Sequence, residues 1–66
     1  MRLMFIGAIL YAADLRKSDL TYADLRHANL QKANLVRADL CGAKYDTKTK
    51  WREGFDPVAA GARLME

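Results

Sequence analysis

From Ala13 to Gly42 the apolar and polar positions recur every five residues, in the tandem phrases ADLRK, SDLTY, ADLRH, ANLQK, ANLVR and ADLCG. Leu holds the middle of each phrase, Asp or Asn precedes it, and Ala or Ser stands before that. An internal period of this kind fixes architecture ahead of local propensity. On an α-helix, at about 100° per residue, successive leucines would advance by roughly 140° and leave no apolar stripe to bury. On a flat strand an odd spacing throws consecutive leucines onto opposite faces. Both conflicts disappear if the chain turns a corner once per phrase, so that every Leu points at a shared axis. The pattern therefore predicts an all-β solenoid. Within a phrase the local period of two also turns the small residue inward, leaving the Asx and the last two positions facing water.

The phase extends beyond the clean phrases. Backward from Leu15 it reaches Leu10 and Phe5, with Ala13, Ala8 and Leu3 at the small inward position; forward from Leu40 it reaches Tyr45, with Ala43 before it. The expected core is thus Phe5, Leu10, Leu15, Leu20, Leu25, Leu30, Leu35, Leu40 and Tyr45. Asp14, Asp19, Asp24, Asn29, Asn34 and Asp39 stand where short polar side chains accept hydrogen bonds from turn amides, the usual reason Asx residues gather at corners. Residues 1–47 form the repeat unit, with 1–12 an irregular apolar first coil, and residues 48–66 a capping segment.

The A-[DN]-L-x-x phrase resembles the motif of the pentapeptide repeat family. That resemblance implies a right-handed, quadrilateral β-helix with four phrases per coil, hence about two coils here. Residues twenty apart would then stack, as Leu10 on Leu30, Leu15 on Leu35, Leu20 on Leu40, and Phe5, Leu25 and Tyr45 in one column. Some members of the family imitate duplex DNA and engage type II topoisomerases as long, dimeric, strongly acidic rods. This chain is short and net basic, and Lys or Arg interrupts every wall.

So short a stack needs protected ends. At the C-terminal side, Trp51 and Phe55 are bulky enough to cover the last coil. Asp56-Pro57 followed by VAA reads as an N-cap, a Pro at the first helical position and a short helix near 57–62, with Gly61 ending or weakening it. An aromatic followed by GFDP and a small-residue helix looks like the tails that close many cyanobacterial pentapeptide repeat proteins. At the other side, MRLMFIGAILYAA admits two readings. A basic residue, a short apolar run and small residues at Ala12 and Ala13 resemble a compact secretory signal. Leu3, Phe5, Ala8 and Leu10 nonetheless keep the repeat phase, which favours a first coil. The run is too short to span a bilayer. Met4, Ile6, Ile9 and Tyr11 take outward positions that later phrases fill mainly with polar residues, so something covers that wall. It is a second copy of the chain, the protein's own tail or a neighbouring domain. Self-association is the expectation, with no membrane partner.

Composition changes this picture little. The single Cys41 excludes an intramolecular disulfide and fits a reduced, cytoplasmic setting. The net charge of +3 is spread as mixed charge along the walls, with Arg16, Lys17, Arg26, Lys32, Arg37 and Lys44 beside the phrase aspartates. Lys17 stacked on Arg37 with Tyr22 nearby makes a weak basic patch, insufficient for nucleic acid to be the expected partner. His27 is the only histidine and has no second ligand at a metal-binding spacing. Asp19 near Asp39 repeats one structural slot without a nucleophile or phosphate-cradling loop, and a filled column has no walled pocket. The sequence therefore reads as a non-catalytic structural or protein-interaction module that needs no cofactor or metal.

Overall fold

The structure, a computed structural model, describes residues 3–66; the first two residues of the expected first coil lie outside the described residues. The backbone makes four corners in every twenty residues and pairs with itself in parallel at that interval: Met4 with Asp24, Ile9 with Asn29, Asp14 with Asn34, Asp19 with Asp39 and Asp24 with Lys44. Each wall contributes one such pairing residue per layer, the one at the Asx position of its phrase. The N–H of the following Leu donates to the Asx carbonyl one coil below, as in Leu15 to Asn34 at 2.9 Å, and the lower Asx N–H donates back, as in Asn34 to Ala13 at 2.8 Å. The walls are too short for long strands. Only Lys44–Tyr45 (β1) and Arg63–Leu64 (β2) extend to two residues, and they pair in parallel.

The corners explain why five residues suffice. At each of eight of them the N–H of the small inward residue donates to the carbonyl of the preceding Leu or its equivalent at 2.9–3.2 Å, closing a β-turn. The third turn residue has positive φ every time: Gly7, Ala12, Lys17, Tyr22, His27, Lys32, Arg37 and Gly42 lie between 58° and 73°. Positive φ at that position alone defines a type II turn. The Asx side chain completes the corner by accepting from the N–H two residues on, at 3.0–3.2 Å from Asp14 through Asp39. Six of the eight left-handed positions carry a side chain, which costs about 1–2 kcal/mol relative to the right-handed region. Replacing Arg37 with Gly is therefore expected to raise stability by about 0.5–1 kcal/mol in urea denaturation, net of the entropy that Gly adds to the unfolded chain.

Below the second coil the period breaks. Asn29 pairs with Lys50, twenty-one residues on. The extra residue is absorbed at Asp46–Thr49, after which Thr49, Lys50 and Trp51 occupy the small, outward and large positions of a phrase. The ladder therefore continues past residue 47 into the segment expected to be a cap. Arg63 pairs with Lys44 and Leu64 with Tyr45, so Ala62-Arg63-Leu64 repeats the small, polar, Leu order as a fourth layer on one wall. The stack is uneven, with four layers on that wall and three on the next.

No helix occurs among the described residues, and the one expected near 57–62 is a single turn. Both of its end signals operate: the Asp56 carboxylate accepts from the N–H of Val58 and Ala59 at 3.1 and 3.2 Å, and Gly61 and Ala62 donate back to Val58 and Pro57 in a Schellman closure at 3.0 Å each. The two caps lie so close together that no helical interior remains between them.

Leu20, Leu25, Leu30 and Leu40 are fully buried, with Leu35 and Tyr45 nearly so; Ala23, Ala28, Ala33 and Ala43 fill the small positions between walls. Phe5, Leu10 and Leu15, in the first coil, are only partly buried. Trp51 stacks on Phe55 with centroids 5.1 Å apart and meets Tyr45 edge-on at 5.6 Å, closing the opposite side.

Candidate functional site

The two ends of the stack differ. The C-terminal end is ragged and carries the aromatic plug. At the N-terminal end the first paired residues of the four walls are Met4, Ile9, Asp14 and Asp19. One layer down, both the N–H and C=O of the Asx point back toward this coil, as Asp24 shows with Leu3 and Phe5. The equivalent groups of Met4, Ile9, Asp14 and Asp19 therefore point off the end, and they have no backbone partner among the described residues. Two adjoining walls of this edge are apolar on the outside, with Met4 64%, Ile6 52%, Ile9 84% and Tyr11 50% exposed. Lys32, one layer below, places its ammonium 5.9 Å from the Tyr11 ring centroid. The other two walls are polar, and there Arg16 folds back on Asp14 through two hydrogen bonds of 2.8 and 2.7 Å.

Two wall aspartates, Asp14 and Asp24, are each paired with the Arg two residues on. Arg16 draws the Asp14 carboxyl down to about 2 through its side-chain and then its backbone hydrogen bond. Asp24, 3% exposed, is held below the ordinary carboxylate range mainly by the Arg26 guanidinium, which it binds at 2.9 and 2.7 Å. A carboxyl lowered by folding adds stability that is present above its unfolded value of about 3.9 and lost as pH falls through the folded value. Asp24→Asn keeps the corner, since Asn29 and Asn34 fill the same slot. It is expected to make the loss of stability below about pH 4 less steep, with Asp14 and Asp46 keeping the rest, measured by thermal unfolding against pH.

A depression of about 530 Å3 is lined by Ile6, Arg26, His27, Asp46, Lys48 and Glu66, among others. In it His27 Nδ1 contacts the Asp46 carboxylate, which also accepts from the His27 and Lys48 N–H groups at 3.1 and 3.0 Å. Burial would raise the Asp46 carboxyl, but these N–H groups, the Thr49 hydroxyl and the His27 charge together leave it lowered. The buried Thr49 hydroxyl donates to the Leu25 carbonyl at 2.9 Å and accepts from the Asp46 N–H at 3.1 Å. His27 is exposed, as the sequence placed it; Asp46 and Thr49 were passed over. A Thr-Lys-Trp order one residue out of phase was the only signal for them. Asp46 and Thr49 bind backbone on both sides of the slip, so the cluster stitches an irregular coil to a regular one. Asp19 and Asp39 pair through their backbones and cap Thr21 and Cys41, with no shared acid–base geometry.

A parallel ladder with a twenty-residue coil, type II corners and a Leu-lined axis defines a β-helix solenoid. The sequence matches the family described as pentapeptide repeats in 8 copies over residues 8–44, and the chain belongs to that family. It is similar to the crystal structure of alr5209, a pentapeptide repeat protein from Nostoc Pcc 7120. The TM-score is 0.77 with 44% identity, over 79% of this chain and 43% of that one. This chain thus spans less than half the length of that solved relative. No curated protein matches it.

Proposed function

We propose that this protein is a non-catalytic structural and protein-interaction module of the cytoplasm, a right-handed four-walled β-helix that presents its N-terminal edge to a protein partner. One observation carries the reading: the stack leaves Met4, Ile6, Ile9 and Tyr11 exposed together on one edge. Single exposed apolar residues elsewhere, such as Val36, do not form such a group. Partner capture from source lysate tests it, with wild type compared against Ile9→Lys and Val36→Lys. Bound proteins are expected to be retained by wild type and Val36→Lys and lost with Ile9→Lys. Identical capture by all three would remove the edge from the account.

A further inference from the structure

Folding sorts the charge that looks mixed along the sequence. On the walls of Asp14 and Asp19, the cations Arg16, Lys17 and Arg37 are matched by Asp14, Asp19 and Asp39. The other two walls differ in their lower layers. Lys44 and Arg63 stand one above the other on one wall, Lys50 takes the outward position on the next, and Lys48 lies at the corner between them. Lys48, Lys50 and Arg63 are exposed and Lys44 is half-buried. None of the four forms an ion pair among the described residues. The aspartates nearby are already engaged: Asp24 holds Arg26 in two hydrogen bonds, with Lys44 acting on it only through space, and Asp46 binds His27, the Lys48 N–H and Thr49. Glu66, which lines the depression beside Lys48, also forms no ion pair among the described residues.

The Lys44–Arg63 pair points to what fits this face. Ladder neighbours stand about 4.8 Å apart, and like charges side by side in a sheet oppose each other. β1 and β2 therefore meet with their cations stacked and no carboxylate bridging them. A carboxylate supplied from outside relieves that repulsion, and its neighbours on an extended acidic segment reach Lys48 and Lys50 around the corner. Resting on the interaction-module reading, we propose that this basic face docks an acidic segment of a protein partner, with carboxylates on Lys44, Arg63, Lys48 and Lys50. The face lies in the lower layers of the stack and is a second contact of the same module. Asp46 and Glu66 interrupt it, which disfavours the uniformly charged phosphate track of a nucleic acid; a protein segment can set a hydroxyl or a backbone N–H against them. Single exposed ion pairs are worth little, so affinity arises from several contacts made together and falls with salt.

Fluorescence anisotropy with a labelled peptide of alternating Glu and Ser tests this. Wild type is expected to bind the peptide at low salt and to release it as salt rises. At about 0.1 M salt, Lys48→Glu combined with Lys50→Glu should weaken binding by about tenfold or more. Lys17→Glu combined with Arg37→Glu makes the same change in net charge at the opposite corner of a molecule with Cα extents of 25 × 21 × 21 Å. It should alter binding by about twofold or less, because that separation exceeds the Debye length of about 10 Å. Titrating wild type with the peptide and following amide shifts by NMR needs no substitution, and the shifts are expected at Lys44, Lys48, Lys50 and Arg63. Absence of binding at low salt would assign these cations to guarding the edge strand and overturn the proposal. So would equal losses in the two variants, shifts centred on Lys17 and Arg37, or tighter binding of duplex DNA than of the peptide. Absence of peptide binding together with Ile9-dependent capture would overturn the acidic segment alone and leave the interaction module standing. Peptide binding at this face together with Ile9-independent capture would support the basic face and remove the N-terminal edge.

Discussion

Leu25→Ala is expected to lower stability by about 3–5 kcal/mol, enough to leave a chain of this size largely unfolded at room temperature. Leu25 is 0% exposed and occupies the second of four layers on its wall, between Phe5 and Tyr45. Truncation there opens a void with the backbone ladder fixed above and below it. The wall cannot collapse to fill it, because its carbonyl accepts from Thr49 and its N–H donates to Lys44. Leu15, in the first coil, is only partly buried, so Leu15→Ala should cost roughly half as much or less. Urea denaturation followed by circular dichroism separates the two. Equal losses at both positions would mean that the column is not graded from its open end to its middle.

Trp51→Ala is the second large effect, at about 2–4 kcal/mol. The ring stacks on Phe55, meets Tyr45 edge-on and follows Lys50, which pairs with Asn29, so it covers the column of Leu10 and Leu30 from the C-terminal side. Removing it exposes Leu30 and unseats Phe55, which has no other aromatic contact among the described residues. Trp51→Phe separates bulk from polarity. The Trp51 Nε1–H is buried without a hydrogen-bond partner, so the smaller ring gives up contact area while relieving an unpaired donor. That substitution should stay within about 1 kcal/mol of wild type. A loss as large as that of the alanine variant would show that shape at this position, more than apolar cover, holds the end closed.

The axis of this fold was readable because one residue type marks it. Leu at every fifth position from Leu10 to Leu40 identifies the interior, and Asx before each Leu identifies the corner. The backbone state of that corner left no comparable mark. Left-handed positions usually announce themselves as Gly, and here Lys17, Tyr22, His27, Lys32 and Arg37 take them instead, held by the ladder and the Asx cap. The tail misled for a different reason. Asp56-Pro57 and Gly61 are true start and stop signals, but sequence signals mark ends without requiring an interior between them. Ala62-Arg63-Leu64 went unread because it stands nineteen residues from Ala43-Lys44-Tyr45, one short of the coil, after an insertion and a looped excursion had destroyed the phase. The N-terminal edge was legible as an excess of apolar residues at Met4, Ile6, Ile9 and Tyr11. Its backbone groups, unpaired among the described residues, become visible only once the coil is closed.

Solution NMR tests the central claim most directly, because a parallel stack brings together protons that are far apart in sequence. The account predicts inter-residue NOEs between neighbours one coil apart, including Leu10 with Leu30, Leu30 with Trp51, and the Leu25 amide with Lys44. A spectrum dominated by contacts three and four residues apart, with those long-range NOEs missing, would contradict it.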